Sequence, residues 1–280
     1  MNIKILSDST CDLPQEILEK YNITMMPLAI IKEGKSFSDG VNITPADIFN
    51  HVAAGGDLCS TAAINIGEYA DVFSKYASEY DGVIHINISA EFSSCHQNAR
   101  LAAADFDNVR AVDSRNLSTG QGLVVLQACK LAKECSTLDE IVEKLNAFTE
   151  KVEASFLLDR LEYMVKGGRC SAAAALGANL LNLKPCIEVK NGKMSVVKKY
   201  RGNYAKCLAN YVKDRLANRD DLQKDTLFVT HTPINDECLN AVKDAVDVYN
   251  AFKDTYWSEA GCTVSCHCGP GTLGVLFVRE

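Results

Sequence analysis

The chain opens on an apolar run, Asn2 to Leu6, that gives way at once to the polar stretch Ser7-Asp8-Ser9-Thr10-Cys11-Asp12. A short apolar run bounded by turn formers predicts a strand, and Asp12 with Pro14 behind it predicts a capped helix with proline in its first turn. Ile23 to Ile31 predicts a second strand, where Pro27 suits an edge or a bulge because it donates no amide to a ladder. Thr44-Pro45 repeats the cap-and-proline signal for a helix through Phe49. Val83 to Ile88 and Val109 to Val112 read as further strands, and the alanine-rich Gln97 to Ala104 between them reads as a helix. Gln121 to Lys133 and Leu138 to Lys151 continue with helical periodicity. Strand and helix alternate, which predicts right-handed crossovers and a mainly parallel sheet with helices on both faces.

Past about residue 155 the pattern changes. Lys184 to Tyr200 holds two alternating runs that meet at Asn191-Gly192, a strong hairpin signal. Helices are expected at Asn203 to Ala217 and Asp236 to Val248, with strands at Thr226 to Thr230 and Gly274 to Val278. The expected fold class is therefore α/β in two domains. Residues 1–155 form a mainly parallel sheet with flanking helices, and residues 156–280 a mixed sheet with helices. No internal repeat or Ser/Gly/Pro-rich linker interrupts them.

Composition narrows the function classes. With 280 residues, 47% of them hydrophobic and 23% charged, the chain can bury a large core and is no low-complexity or disordered polymer. Its 29 Lys and Arg against 36 Asp and Glu leave a net charge of -7, which disfavours a nucleic-acid partner. No apolar run approaches the ~18–20 residues that span a bilayer. The start turns polar after six residues, unlike a signal peptide, so a cytoplasmic protein without stable membrane insertion is expected.

The 12 cysteines, scattered from Cys11 to Cys268, are expected to be reduced thiols packed in the core. Cys262, Cys266 and Cys268 with His267 offer four metal donors. A structural zinc site usually takes two separated C-x2-4-C pairs, and the second pair is missing, so no metal is expected.

Hydroxyl-bearing loops follow several strand ends: Ser7 to Thr10, Ser60-Thr61, Ser89 with Ser93-Ser94, and Asp113-Ser114 with Ser118. Open α/β sheets bind ligands beyond the carboxyl ends of their strands, so these loops can converge on one site. Each is equally explained as a cap or turn. No GxxxxGK[ST] loop is present and no GxGxxG follows the first strand, so no nucleotide cofactor is expected. Gly167-Gly168, between Lys166 and Arg169, allows close backbone approach, and Arg169 offers a donor fork to an anion; a solvated basic turn accounts for the same residues. His267 sits beside the constrained turn Gly269-Pro270-Gly271, which aims an imidazole well, although a lone histidine is more often structural.

Taken together, Asp8-Ser9-Thr10-Cys11-Asp12-Leu13-Pro14, Asp113-Ser114 through Ser118-Thr119-Gly120-Gln121-Gly122, Lys166-Gly167-Gly168-Arg169, Leu183-Lys184-Pro185, Lys199-Tyr200-Arg201-Gly202 and His267-Cys268-Gly269-Pro270-Gly271 occur in order along nearly the whole chain. In these motifs the chain resembles the DegV family of bacterial fatty-acid-binding proteins. The resemblance implies a long-chain fatty acid buried between or within two α/β domains. The family's carboxylate-binding threonine falls on Thr61, its binding serine on Ser93 with Ser94 beside it, and its histidine on His267. Arg169 is implied as a ligand or partner contact, and Arg201 as a docking residue for a separate fatty acid kinase. The chain departs from the family in two places: the usual T-S-Q-P-S is Thr61-Ala62-Ala63-Ile64-Asn65, and the usual S-G-T is Ser93-Ser94-Cys95.

The expectation is a monomeric, cofactor-free carrier that presents its lipid to an ATP-dependent kinase, rather than an enzyme. The rival, a small-molecule phosphotransferase or a hydrolase acting on its own, would need a nucleotide cradle or a base oriented on its nucleophile. No motif supplies either. A metal- or redox-responsive regulator using the cysteines is the third class.

Overall fold

The computed structural model describes residues 1–175, 183–249 and 251–280. From the N terminus, β1 (Ile3–Asp8) runs into a single 3-10 turn at Ser9–Cys11, then α1 (Gln15–Lys20) and β2 (Thr24–Met26). The predicted second strand divides at Pro27. β2 pairs in parallel with β1, whereas β3 (Ala29–Lys32) leaves that sheet and pairs antiparallel with β4 (Lys35–Ser38) and, beyond α2 (Pro45–Ala53), with β5 (Ser60–Ala62). A proline with no amide to give marks the place where the chain changes sheets. The resulting three-stranded sheet, in the order β4-β3-β5, has no counterpart in the sequence expectation.

The helix expected after Asp12 starts later. Pro14 is its N-cap, and Asp12 sits in the left-handed region at φ 48°. Its carboxylate is committed elsewhere, to Ser118 and Gly261. The Thr44-Pro45 signal holds, with a reciprocal capping box between Thr44 and Asp47.

After α3 (Ile66–Glu79) come β6 (Gly82–Asn87), α4 (Cys95–Ala103), β7 (Val109–Asp113), α5 (Ser118–Glu134) and α6 (Leu138–Thr149). β2-β1-β6-β7 is an all-parallel sheet, and every residue of β6 is buried, as expected of a strand covered on both faces. α3 packs on α4 and α5 on α6.

The remainder builds a six-stranded mixed sheet. β8 (Val152–Leu157), α7 (Glu162–Gly167) and α8 (Ser171–Ala174) precede the hairpin of β9 (Leu183–Lys190) and β10 (Lys193–Arg201). Asn191 at φ 53° and Gly192 at φ 78° give that hairpin the primed turn that matches strand twist. Then follow α9 (Tyr204–Leu216), β11 (Leu222–His231), α10 (Asp236–Tyr249), β12 (Asp254–Glu259), α11 (Cys262–Cys268) and β13 (Leu273–Arg279). The order is β10-β9-β8-β13-β11-β12, antiparallel except for the β11–β12 pair. Residue 155 falls inside β8, which belongs to this sheet from Val152 onward.

α5 touches β1 and β6 of the parallel sheet and β8, β11 and β13 of the mixed sheet. The largest core cluster accordingly runs from Ile5 and Ile86 through Val124 to Phe156 and Leu276. A second cluster lies between the mixed sheet and α9 with α10. All cysteines are unpaired and buried. Among the described residues no helix is long and apolar enough to cross a membrane, and no group of three or more His, Cys, Asp or Glu is placed to hold a metal ion.

Candidate functional site

The short strand β5 places Thr61 opposite Ile30 of β3. Across from it lies α11, whose start is held by two buried aspartate side chains. Asp39 accepts from the backbone amides of Cys262 (2.8 Å) and Thr263 (3.1 Å) and from the Thr263 hydroxyl (2.7 Å), and Asp12 accepts from the Gly261 amide at 2.8 Å. Acceptors at a helix start satisfy orphan amides and complement the helix dipole. One consequence is that His267, in the last turn of α11, meets Thr61, with Nε2 and Oγ1 2.9 Å apart.

Ser93 lies in the loop after β6. The Phe92 and Ser93 amides both donate to the Ser89 carbonyl, making a tight turn that brings Ser93 beside the start of α4. Arg169 follows α7, which ends on Gly168 at φ 70°, a left-handed C-cap that suits glycine. Its guanidinium donates to the carbonyls of Gly167 (2.7 Å) and Phe92 (3.3 Å), so it bridges the α7 turn and the Ser93 loop.

Thr61, Ser93, Ser94, Arg169 and His267 together line a cavity of about 130 Å³, whose remaining wall includes Thr263 and the apolar Leu28, Ile88, Phe92, Leu117 and Val264. A second cavity, of about 20 Å³, shares Leu117, Val264 and Cys268 with the first and is lined further by Phe156 and Leu276 and by the hydroxyl-bearing Ser155, Thr230, Thr232 and Thr272. Arg201 is not part of this wall. It is exposed at the end of β10.

Burial pushes the His267 ring down to about 4, and the Arg169 charge acts in the same direction. The ring is therefore neutral at physiological pH, which removes a protonated imidazole as counter-charge. Arg169 is the one formal cation lining the cavity among the described residues. A threonine hydroxyl bonded to a histidine is also the beginning of a nucleophilic pair. A ring at about 4 is a weak base near pH 7, however, and its buried Nδ1 has no partner among the described residues to orient it.

The model of the DegV family, described as "Uncharacterised protein, DegV family", matches residues 2–280. The chain belongs to the DegV family. It is 32% identical to a DegV domain-containing protein of Clostridium acetobutylicum over 283 residues, with 99% of each chain covered. Among solved structures it is similar to a DegV family protein from Thermus thermophilus described as fatty acid binding (28% identity, all of both chains covered, TM-score 0.91). It is also similar to a Thermotoga maritima protein described as revealing fatty acid binding function (27% identity, 99% of each chain covered, TM-score 0.82). The mixed α/β architecture is thus that of DegV structures.

Several residues that build this DegV site escaped the sequence reading. Asp39 carries no motif, yet it holds the start of α11. Cys95 is buried as expected of the cysteines, and its sulfur also receives the Ser93 hydroxyl at 3.2 Å, a contact no motif announces. The close backbone approach expected of Gly167-Gly168 is found at Gly167, where a side chain would collide with His267, a partner the sequence does not name.

Proposed function

We propose that the protein binds a long-chain fatty acid in the largely apolar cavity, with its carboxylate held by Thr61 and Ser93 and the Thr61 hydroxyl oriented by His267, and presents it to a separate ATP-dependent kinase for acyl-phosphate formation. The observation that carries the reading is that the Thr61 and Ser93 hydroxyls, His267 and Arg169 line one cavity together with Leu28, Ile88, Phe92, Leu117 and Val264. A carboxylate only accepts, so on this reading Thr61 donates its proton to the ligand and must itself accept from His267 Nε2. That fixes the neutral Nε2–H tautomer, in accord with a ring pushed down to about 4.

The energetics suit a carrier. Each buried methylene contributes about 0.8 kcal/mol, so ~15 of them supply roughly 12 kcal/mol before the losses of association. Leu117, Val264 and Cys268, which line both cavities, give the tail apolar surface to contact. The head group costs affinity unless its lost water is replaced, and the Thr61 and Ser93 hydroxyls replace it. The carboxyl end lies on the Arg169 and Ser94 side, where both side chains are exposed, and so faces an incoming enzyme.

Thr61→Ala combined with Ser93→Ala leaves the carboxylate under-satisfied, at about 1–3 kcal/mol for each lost partner. Isothermal titration of delipidated protein with oleic acid should show at least a tenfold loss of affinity. An unchanged dissociation constant contradicts the assignment.

A further inference from the structure

Cys95 is fully buried at the start of α4, two residues after Ser93. Its backbone amide donates to Ser93 Oγ at 3.3 Å, and the Ser93 hydroxyl donates to its sulfur at 3.2 Å.

This arrangement splits the control of Ser93. Its oxygen is placed by a backbone amide, which does not depend on the side chain at position 95. Its proton is directed at sulfur, a weak acceptor. Burial pushes the Cys95 thiol up to about 11, so it is S–H rather than thiolate at neutral pH.

We propose that Cys95 is a positioning residue for the ligand, its sulfur a placeholder that keeps the Ser93 proton directed while no carboxylate is bound and releases it at low cost when one arrives. This rests on the reading that Ser93 holds the carboxylate. An oxygen at position 95 retains the proton more firmly and competes with the ligand. A methyl group does not compete at all.

The expected order of oleic acid affinity is therefore Cys95→Ala tightest, the parent next and Cys95→Ser weakest, with the serine variant down about three- to tenfold. A packing role predicts the reverse, because serine nearly keeps the shape of cysteine while alanine leaves a void. Cys95→Thr presents the same oxygen with a methyl to fill the pocket, and follows Cys95→Ser. The experiment is calorimetric titration of each delipidated variant, with Ser93→Ala and Ser93→Ala/Cys95→Ser alongside. In the Ser93→Ala background, Cys95→Ser should have no effect. Any other order of affinities, or a serine effect that persists without Ser93, overturns the proposal. Full affinity in Ser93→Ala removes the anchor and this proposal together; a weakened Ser93→Ala with a flat Cys95 series overturns the placeholder alone.

Discussion

The two glycines of Lys166-Gly167-Gly168-Arg169 do different work. Gly168 has a left-handed backbone and open space where a Cβ would lie, so backbone conformation explains it. Gly167 ends α7, and a Cβ there would stand 2.4 Å from His267 Nδ1. Its lack of a side chain is what lets the imidazole reach Thr61. Gly167→Ala should weaken oleic acid binding about tenfold or more while leaving the melting temperature little changed, because alanine is the better helix former. In a His267→Ala background the same substitution should cost nothing further. Unchanged affinity in the single variant contradicts the role. Sequence motifs led to His267, Thr61 and Ser93, but contacts such as Gly167 with His267 join residues 100 apart in the chain and leave no local pattern.

At the scale of elements, α11 is the part that aims the site, and two aspartate side chains hold its start. Burial pushes Asp12 up to about 8, and neighbouring Asp39 adds to the rise, while hydrogen bonds from Ser118 and Gly261 oppose it. In the unfolded chain an aspartate titrates near 3.9, so between about 4 and 8 the native state holds a proton that the unfolded state has lost. Stability from this group is complete at acid pH and falls as pH rises through about 8. Asp12→Asn removes the titration, so its melting temperature should gain on the parent between pH 5 and pH 8 and level off above, by at least about 2–4 °C. A gap that is constant with pH, or that widens toward acid, contradicts this.

Most elements were legible because their periodicity is local: the 191–192 hairpin, the Thr44 cap and the strands at 83–88 and 109–112 all stand where the pattern put them. Asp12 was misread because its sequence neighbours suggest a helix cap, whereas its partners lie more than 100 residues away. β5 and α11 were missed for a related reason. Three residues, or seven closed by Gly261 and by Gly269-Pro270-Gly271, carry too little pattern to show a period.

For the whole molecule, the apolar cavity has walls from both halves of the chain, with Thr61 and Ser93 from one and Arg169 and His267 from the other. The basic stretch of the second half is partly neutralised, Lys184 by Asp159 at 2.6 Å and Lys198 by Asp214 at 2.5 Å. Lys199 and Arg201 are exposed and have no carboxylate partner among the described residues, which leaves them available to an acidic surface. Arg201→Ala should therefore keep its oleic acid affinity yet lower turnover by a purified fatty acid kinase several-fold. Equal turnover contradicts the docking role.

The most direct test of the carrier reading is native mass spectrometry of the protein as purified, followed by organic extraction. The account predicts one long-chain fatty acid per chain, or its uptake when oleic acid is offered to delipidated protein. A chain that emerges empty and stays empty in the presence of oleic acid contradicts it.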